Sequence, residues 1–192
     1  MIMKYFYTTL LIVLIGSIFC TASVAQSRDY LTDEEIEMVR NAQQIDKRME
    51  VLVHAMDRRF GVLKVEVGSP VKKEVPDWGA LPEGTRFQLL NDIKRIMEKA
   101  IDDIDNLAQR PDSMVIEEPE KGKKPVTYGE LFPKGVRNLA AAAERYKVPL
   151  RRQLDIAKDG AEKGVIMASL DMCEQVTAAV AKLPPPAKKT GN

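Results

Sequence analysis

The sequence predicts an all-α protein, an antiparallel bundle of three or four helices that follows a cleaved signal peptide. Three observations lead to this prediction. Apolar residues recur at steps of three and four over long segments, which is the spacing of one helix face. Proline and glycine collect in two stretches, 61–84 and 111–135, as expected of long polar loops that join helices. A short apolar run near the N-terminus has the pattern of an export signal.

Length and charge limit the classes of protein that remain. The chain has 192 residues, 45% of them apolar, with 29 Lys and Arg against 28 Asp and Glu. A chain of this size forms one domain with a sizeable core. Nucleic-acid binding requires a surplus of basic residues that displaces counterions. Because the charges balance, we expect no nucleic-acid partner.

The N-terminus carries the elements of a signal peptide over residues 1–25. Lys4 supplies a positive start, residues 10–20 form an apolar core, and Ala25 ends a small-residue cleavage site. The core is shorter than the ~20 residues of a transmembrane helix, which favours a cleaved signal peptide. An uncleaved anchor is the alternative. Lipid attachment at Cys20 is disfavoured because the bulky Phe19 precedes it. We therefore expect a periplasmic or secreted protein, which would meet a membrane only if its signal remained uncleaved.

The first half of the remaining chain, residues 26–183, contains two segments with helical spacing. Thr32 and Glu35 form a capping box, in which each side chain satisfies a free backbone N–H of the first turn. No helix-breaking residue follows before Phe60, so we expect one uninterrupted helix over about 32–60. The second segment ends before Pro111 and predicts a helix over about 85–109.

Between these helices the pattern is less regular. Residues 62–67 alternate enough to suggest a short strand, although a single strand is marginal. Trp78 lies between a proline and a glycine, and we expect it to anchor its loop on the helices.

The second half of the chain holds one apolar stripe across almost forty residues. We expect helices over about 134–158 and 161–183, with a kink at Pro149 and a turn near 159–164 that Asp159 caps. The alternative is a single helix of ~72 Å, which is too long for a compact bundle of this size. Residues 184–192 begin with three prolines and predict a disordered tail.

His54 and Glu50 are the only candidates for a metal site. They lie four residues apart on one helix face, but di-iron bundles use Glu-x-x-His twice and this spacing occurs once. The sequence therefore predicts no metal site. The acidic residues Asp102, Asp103 and Asp105 lack the glycine of a calcium loop and indicate a solvated helix face.

His54 is also the candidate cofactor ligand. An exported helical bundle can hold haem between a histidine and a core methionine, but there is no Cys-x-x-Cys-His motif for covalent attachment. Methionine at helical spacing is usually core filler, so the prediction is that no cofactor is bound. After signal cleavage Cys173 is the only cysteine, and its apolar neighbours predict a buried thiol; an intermolecular disulfide is the alternative.

No catalytic set is visible in the sequence. The prediction is a non-enzymatic binding or structural protein of the cell envelope that acts through a protein–protein surface. Its partner is expected to be an unknown envelope protein or a second copy, since a long heptad pattern suits a coiled-coil dimer. The alternative is a small-ligand or haem carrier that uses His54 and a core methionine.

Overall fold

The computed structural model describes residues 28–68, 78–113 and 127–185, and within them the chain is helical and contains no strand. The predicted all-α class is confirmed. The predicted signal peptide with its cleavage site at Ala25, and residues 186–192 of the predicted tail, lie outside the described residues. The helices are α1 Asp33–Asn41, α2 Ile45–Val62, α3 Arg86–Gln109, α4 Tyr128–Ile156 and α5 Gly160–Ala179, with short 3-10 helices at Pro111–Ser113 and Val180–Lys182.

Side chains cap the N-termini of α1, α3 and α5. The predicted capping box of α1 is present, with Thr32 Oγ1 accepting from Glu35 N at 3.3 Å and Glu35 Oε2 accepting from Thr32 N at 3.0 Å. Thr85 and Gln88 form an equivalent box at the start of α3. Asp159 Oδ1 accepts from Glu162 N at 2.7 Å at the start of α5. These bonds satisfy backbone donors that have no partner within the helix.

The prediction of one helix over 32–60 is wrong, because the chain breaks at 42–44. α1 ends at Asn41 and α2 begins at Ile45. In a continuous helix, Glu35 and Arg58 would lie ~35 Å apart at 1.5 Å per residue. The break lets α1 fold back, so that Glu35 forms a buried ion pair with Arg58.

In the second half of the chain, the start of α4 and the turn between α4 and α5 both differ from the prediction. α4 begins at Tyr128, before the predicted residue 134, and includes Pro133 and Pro149 as one helix. The turn between α4 and α5 lies at 157–159, earlier than the predicted 159–164. Both Gly160 and Gly164 are therefore helical residues of α5.

Residues 62–67 do not form the predicted strand. Val62 ends α2, and Lys64 follows with a positive φ of 57°, which an extended strand does not contain. Val67 is buried, and its carbonyl accepts from Arg145 Nη1 of α4 at 3.1 Å. A tertiary contact therefore fixes this segment, in place of strand pairing.

The four long helices share one hydrophobic core. α2 packs against α3 and α4, and α5 packs against the same two helices. Ion pairs join Asp46 to Lys134 and Asp57 to Arg145, so positions advance in the same direction along α2 and α4. These neighbours are parallel, as the first and third long helices of an up-and-down antiparallel bundle are, although the sequence analysis did not specify that the two would lie side by side. The long connections on both sides of α3 give the chain room to place α4 beside α2 in this way.

α4 and α5 run antiparallel along their shared edge. Lys147 Nζ donates to Thr177 Oγ1 at 2.9 Å, and Arg151 Nη2 lies 3.4 Å from Glu174 Oε1. The largest fully buried apolar side chains of the core come from α2, α3 and α4: Phe60, Tyr146, Met49, Leu52, Met56, Leu90, Ile93, Ile96, Met97, Leu139 and Leu150.

Candidate functional site

His54 contacts an aromatic ring and lies away from the core. Its imidazole packs against Trp78, with ring centroids 4.2 Å apart in an edge-on arrangement. The Arg58 guanidinium lies over the same indole at 5.7 Å. Trp78 packs against the core at partial burial, as the loop-anchor prediction expects. His54 thus provides part of the α2 surface on which Trp78 and its loop pack.

The structure separates His54 from the methionines of its own helix. Met49 and Met56 are fully buried, whereas His54 is half-buried. At 100° per residue, His54 projects about 140° away from Met49 and on the opposite side of α2. A single ligand therefore cannot reach His54 and either of these two methionines.

Glu50 and His54 are not part of a larger ligand set. Glu50 is exposed, and its Oε1 accepts from Asn138 Nδ2 at 3.3 Å. Among residues 28–68, 78–113 and 127–185, no group of three His, Cys, Asp or Glu side chains is placed to hold a metal ion. Among the acidic residues of α3 considered for calcium, Asp103 forms an ion pair, with Lys99 Nζ 3.2 Å from its Oδ1.

Cys173 is a buried residue of α5. Burial raises the pKa of its thiol to about 12, with smaller opposing and reinforcing contributions from Lys147, Glu144 and Glu174. The thiolate is the nucleophilic form of cysteine, so this side chain is unreactive at neutral pH. The prediction of a buried thiol is confirmed.

The structure reveals a buried ionic cluster that the sequence analysis did not predict. Glu35, with 0% exposure, accepts from Arg58 Nη1 at 2.7 Å and from Arg59 Nη1 at 2.6 Å, both on Oε1. Arg59 also donates to the carbonyls of Tyr30 and Ala55 at 2.6 and 2.9 Å. Arg59 is 1% exposed, so these bonds replace water for a charge taken out of solvent.

Asp92 of α3 completes this group, which we call the Glu35 cluster: Glu35, Arg58, Arg59, Asp92 and Arg28. Arg28 forms an ion pair with Asp92, and Arg59 Nε lies 3.8 Å from the same carboxylate. Burial raises the pKa of Asp92 above its usual value, although Arg28 opposes the shift. The cluster therefore connects the N-terminal segment with α1, α2 and α3.

A cleft of about 360 Å³ lies beside the Glu35 cluster. Its walls include Arg59 and Arg28, together with the acidic side chains of Asp33, Glu34 and Glu83. The Arg59 Nη atoms already bond Glu35 and backbone carbonyls, and Arg28 bonds Asp92. The cationic groups of the cleft are thus engaged within the fold, and the cluster acts as a structural connection.

One sequence signal for this cluster was available. Arg59 follows Met56 by three residues and therefore continues the apolar stripe of Leu52 and Met56. A charged residue at a core position requires a buried partner. The sequence alone did not identify Glu35 as that partner, since both residues were assigned to one straight helix.

The outer surface of α5 is the second notable feature. α5 is the most apolar of the five described helices. Met167 is 53% exposed, and Lys163 and Asp171 lie four residues before and after it on the same side. Gly160 and Gly164 continue this stripe. We call these five exposed residues the α5 outer face.

α5 and the short helix after it resemble a membrane span in length and composition. Gly160–Lys182 is the only such helix in the described part of the chain, and 28% of its most apolar 18-residue window is buried. The core helix of a water-soluble protein can have the same length and composition. Met167 is its one large exposed apolar side chain, whereas Val165, Leu170 and Met172 pack against the core.

No family model, curated protein or solved structure matches the chain. The geometry of the described residues therefore provides the basis for assigning a function. It offers two candidate sites, the cleft at the Glu35 cluster and the α5 outer face. The cationic groups of the first are bonded within the fold, whereas the second presents an apolar side chain between two opposite charges.

Proposed function

We propose that the protein is an exported, non-catalytic helical bundle of the cell envelope, periplasmic or secreted, that binds a protein partner through the α5 outer face. The observation that carries the proposal is the 53% exposure of Met167 at the centre of this face. The complementary partner surface has an apolar contact between one acidic and one basic group, opposite Lys163 and Asp171.

A single exposed apolar residue is ordinary in a folded protein. The α5 outer face is distinguished by its setting, because Met167 is exposed on the most apolar described helix and lies between the exposed charges of Lys163 and Asp171. Covering such a surface removes apolar area from water, which is the main favourable term in most protein association. Methionine adapts to different partner surfaces because its side chain is unbranched and flexible.

Polar contacts of α5 with the rest of the protein favour a protein partner over a lipid bilayer. Arg86 Nε of α3 donates to Glu162 Oε1 of α5 at 2.6 Å. Moving α5 into a membrane would break this pair and place Glu162 near hydrocarbon, which is costly for a charged group. Membrane insertion is a separate outcome that the experiment below distinguishes.

The proposal of a non-catalytic role is supported by how the buried charges are used. Glu35 and Arg59 bond each other and the backbone, and Asp46 and Asp92 each pair with a basic residue. Each of these groups connects one helix to another part of the fold. Their contacts favour a structural role over one in binding or converting a substrate.

The test is recovery of the tagged chain, expressed from its full sequence, after brief cross-linking of intact cells. The Met167→Asp variant places a charge at the centre of the α5 outer face. Val148→Asp is the matched control, because Val148 is 52% exposed but lies on α4. We expect a cross-linked protein with the wild type and Val148→Asp, and its loss with Met167→Asp.

Circular dichroism checks that all three proteins fold alike. The same cross-linked species with all three proteins, or with none, would contradict the proposal. Recovery of the wild type in the membrane fraction after alkaline carbonate washing, with no cross-linked protein, would assign the helix to a bilayer instead.

A further inference from the structure

We infer that the partner of the α5 outer face is a second copy of this chain, packed antiparallel about a two-fold axis through Met167. This inference rests on the proposed function, in which the α5 outer face binds protein. It adds the identity of the partner, the direction of the second helix and the residues that meet.

The spacing of the charges carries the inference. Lys163 and Asp171 lie four residues on either side of Met167, about 6 Å along the helix in each direction. A two-fold axis perpendicular to α5 at Met167 brings position 163 of one copy opposite position 171 of the other. Lys163 then faces the second copy's Asp171, and the symmetry repeats this pair.

The two charges are available for such a contact. Lys163 and Asp171 are both exposed, and neither forms an ion pair within the described residues. Nearby acidic residues on α5 are already paired, Glu162 with Arg86 and Glu174 with Arg151. The unpaired charges of α5 therefore have opposite signs and lie symmetrically about its exposed methionine.

The glycines of the same face give independent support. A Cβ added at Gly160 or Gly164 would meet no atom within 4 Å, so packing inside the protein does not require glycine at either position. Glycine within a helix costs about 1 kcal/mol relative to alanine. An approaching helix backbone gives a reason for this cost at Gly164, because small residues permit close contact between helices.

The charge pattern also selects the antiparallel direction. In a parallel pair in register, Lys163 would face Lys163 and Asp171 would face Asp171, and like charges repel. The antiparallel pair replaces both repulsions with attractions. Because exposed ion pairs contribute little energy, the charges mainly set direction while Met167 supplies the buried contact.

The test uses two charge-reversal variants of the full chain in analytical ultracentrifugation. Lys163→Asp places Asp opposite Asp, and Asp171→Lys places Lys opposite Lys. We expect the wild type to dimerise, and each variant to associate more weakly by roughly tenfold, since two pairs change sign. An equimolar mixture of the two variants should recover dimerisation, because each contact in the mixed dimer joins an Asp of one variant to a Lys of the other.

Several results would overturn the inference. These are a monomeric wild type, a dimer that neither variant weakens, or two weakened variants that fail to rescue each other. Val148→Asp is the control and should dimerise like the wild type. If self-association fails while a different protein still cross-links to the wild type and is lost with Met167→Asp, the proposed function stands and the second copy is excluded.

Discussion

Glu35 of α1 lies beneath the C-terminal half of α2, where its Oε1 accepts a hydrogen bond from Arg59 Nη1 at 2.6 Å. Both side chains are almost completely buried. Arg58 shares the same oxygen, so one carboxylate balances two guanidinium groups. The short helix α1 is thereby attached to α2 by charge as well as by its apolar residues.

The loss of this carboxylate is expected to destabilise the fold strongly. Glu35→Gln keeps the shape of the side chain and can still complete the α1 capping box, so it removes mainly the charge. Removing the carboxylate shared by two buried guanidinium groups leaves Arg59, within the described residues, only its 3.8 Å ionic contact with Asp92, and should lower the free energy of unfolding by about 3 kcal/mol. Urea denaturation measures this change.

Glu37→Gln is the matched control, because Glu37 and Arg40 form a largely exposed pair on the same helix. This control should alter the free energy of unfolding by less than about 0.5 kcal/mol. Equal effects from the two variants would show that the Glu35 cluster does not stabilise the fold.

The pH dependence of stability should report the buried Asp92. Burial raises the pKa of Asp92 in the folded protein above its unfolded value, against the opposing effects of Arg28, Arg59 and Arg95. The folded state therefore takes up this proton first as the pH falls, and protonation favours folding. The destabilisation caused by ionised Asp92 is fully present above the raised pKa that Asp92 has in the folded protein. It disappears below the pKa that Asp92 has in the unfolded chain.

Comparison with Asp92→Asn isolates this group from the other carboxylates. Stability curves of the two proteins between pH 7 and about pH 3 give the difference. The wild type should gain stability relative to Asp92→Asn as the pH falls. A relative loss would mean that pairing with Arg28 outweighs burial.

Two glycines in helices should respond differently to alanine. Gly61→Ala adds a methyl group to α2 where no atom lies within 4 Å, so helix propensity should raise the free energy of unfolding by about 0.5–1 kcal/mol. At Gly135 the new Cβ would lie 3.3 Å from Ile45 Cγ1 and 3.4 Å from Asp46 N. Crowding of α4 against α2 should cancel or reverse the gain there. Thermal unfolding of both variants measures the difference, and a larger gain at Gly135 would contradict it.

The thiol of Cys173 should be unreactive until the protein unfolds. Its pKa of about 12 and its complete burial leave almost no accessible thiolate at pH 8. Titration with a chromogenic disulfide reagent should therefore count the same number of thiols in the folded wild type and in folded Cys173→Ser. In concentrated urea the wild type should show one more. An extra reactive thiol in the folded wild type would contradict the burial.

Local sequence signals account for much of the helical fold. The boundaries of α3 follow from the Thr85 cap and from the proline after its C-terminus, and Asp159 was recognisable as a cap. The start of α4 was missed, although Thr127 and Glu130 form a capping box, because Pro133 and the surrounding glycines suggested a loop. Proline is tolerated early in a helix, so the capping signal was the more informative one.

The break at 42–44 and the parallel contact of α2 with α4 were beyond the reach of sequence patterns. Residues 41–45 contain no proline or glycine, so no local signal marks the turn that brings Glu35 to Arg58 and Arg59. The α5 outer face was missed for a related reason. An apolar stripe identifies the side of a helix that faces a core, but Met167 lies on the other side and its exposure depends on where α3 and α4 pack.

The most direct test of the central claim is disulfide formation at Met167→Cys. If two copies meet at Met167, mild oxidation of this variant should give a covalent dimer on a non-reducing gel. Val148→Cys, whose position is equally exposed on α4, should remain monomeric, as should the wild type. A monomeric Met167→Cys, or equal dimer formation at both positions, would contradict a self-association surface on α5.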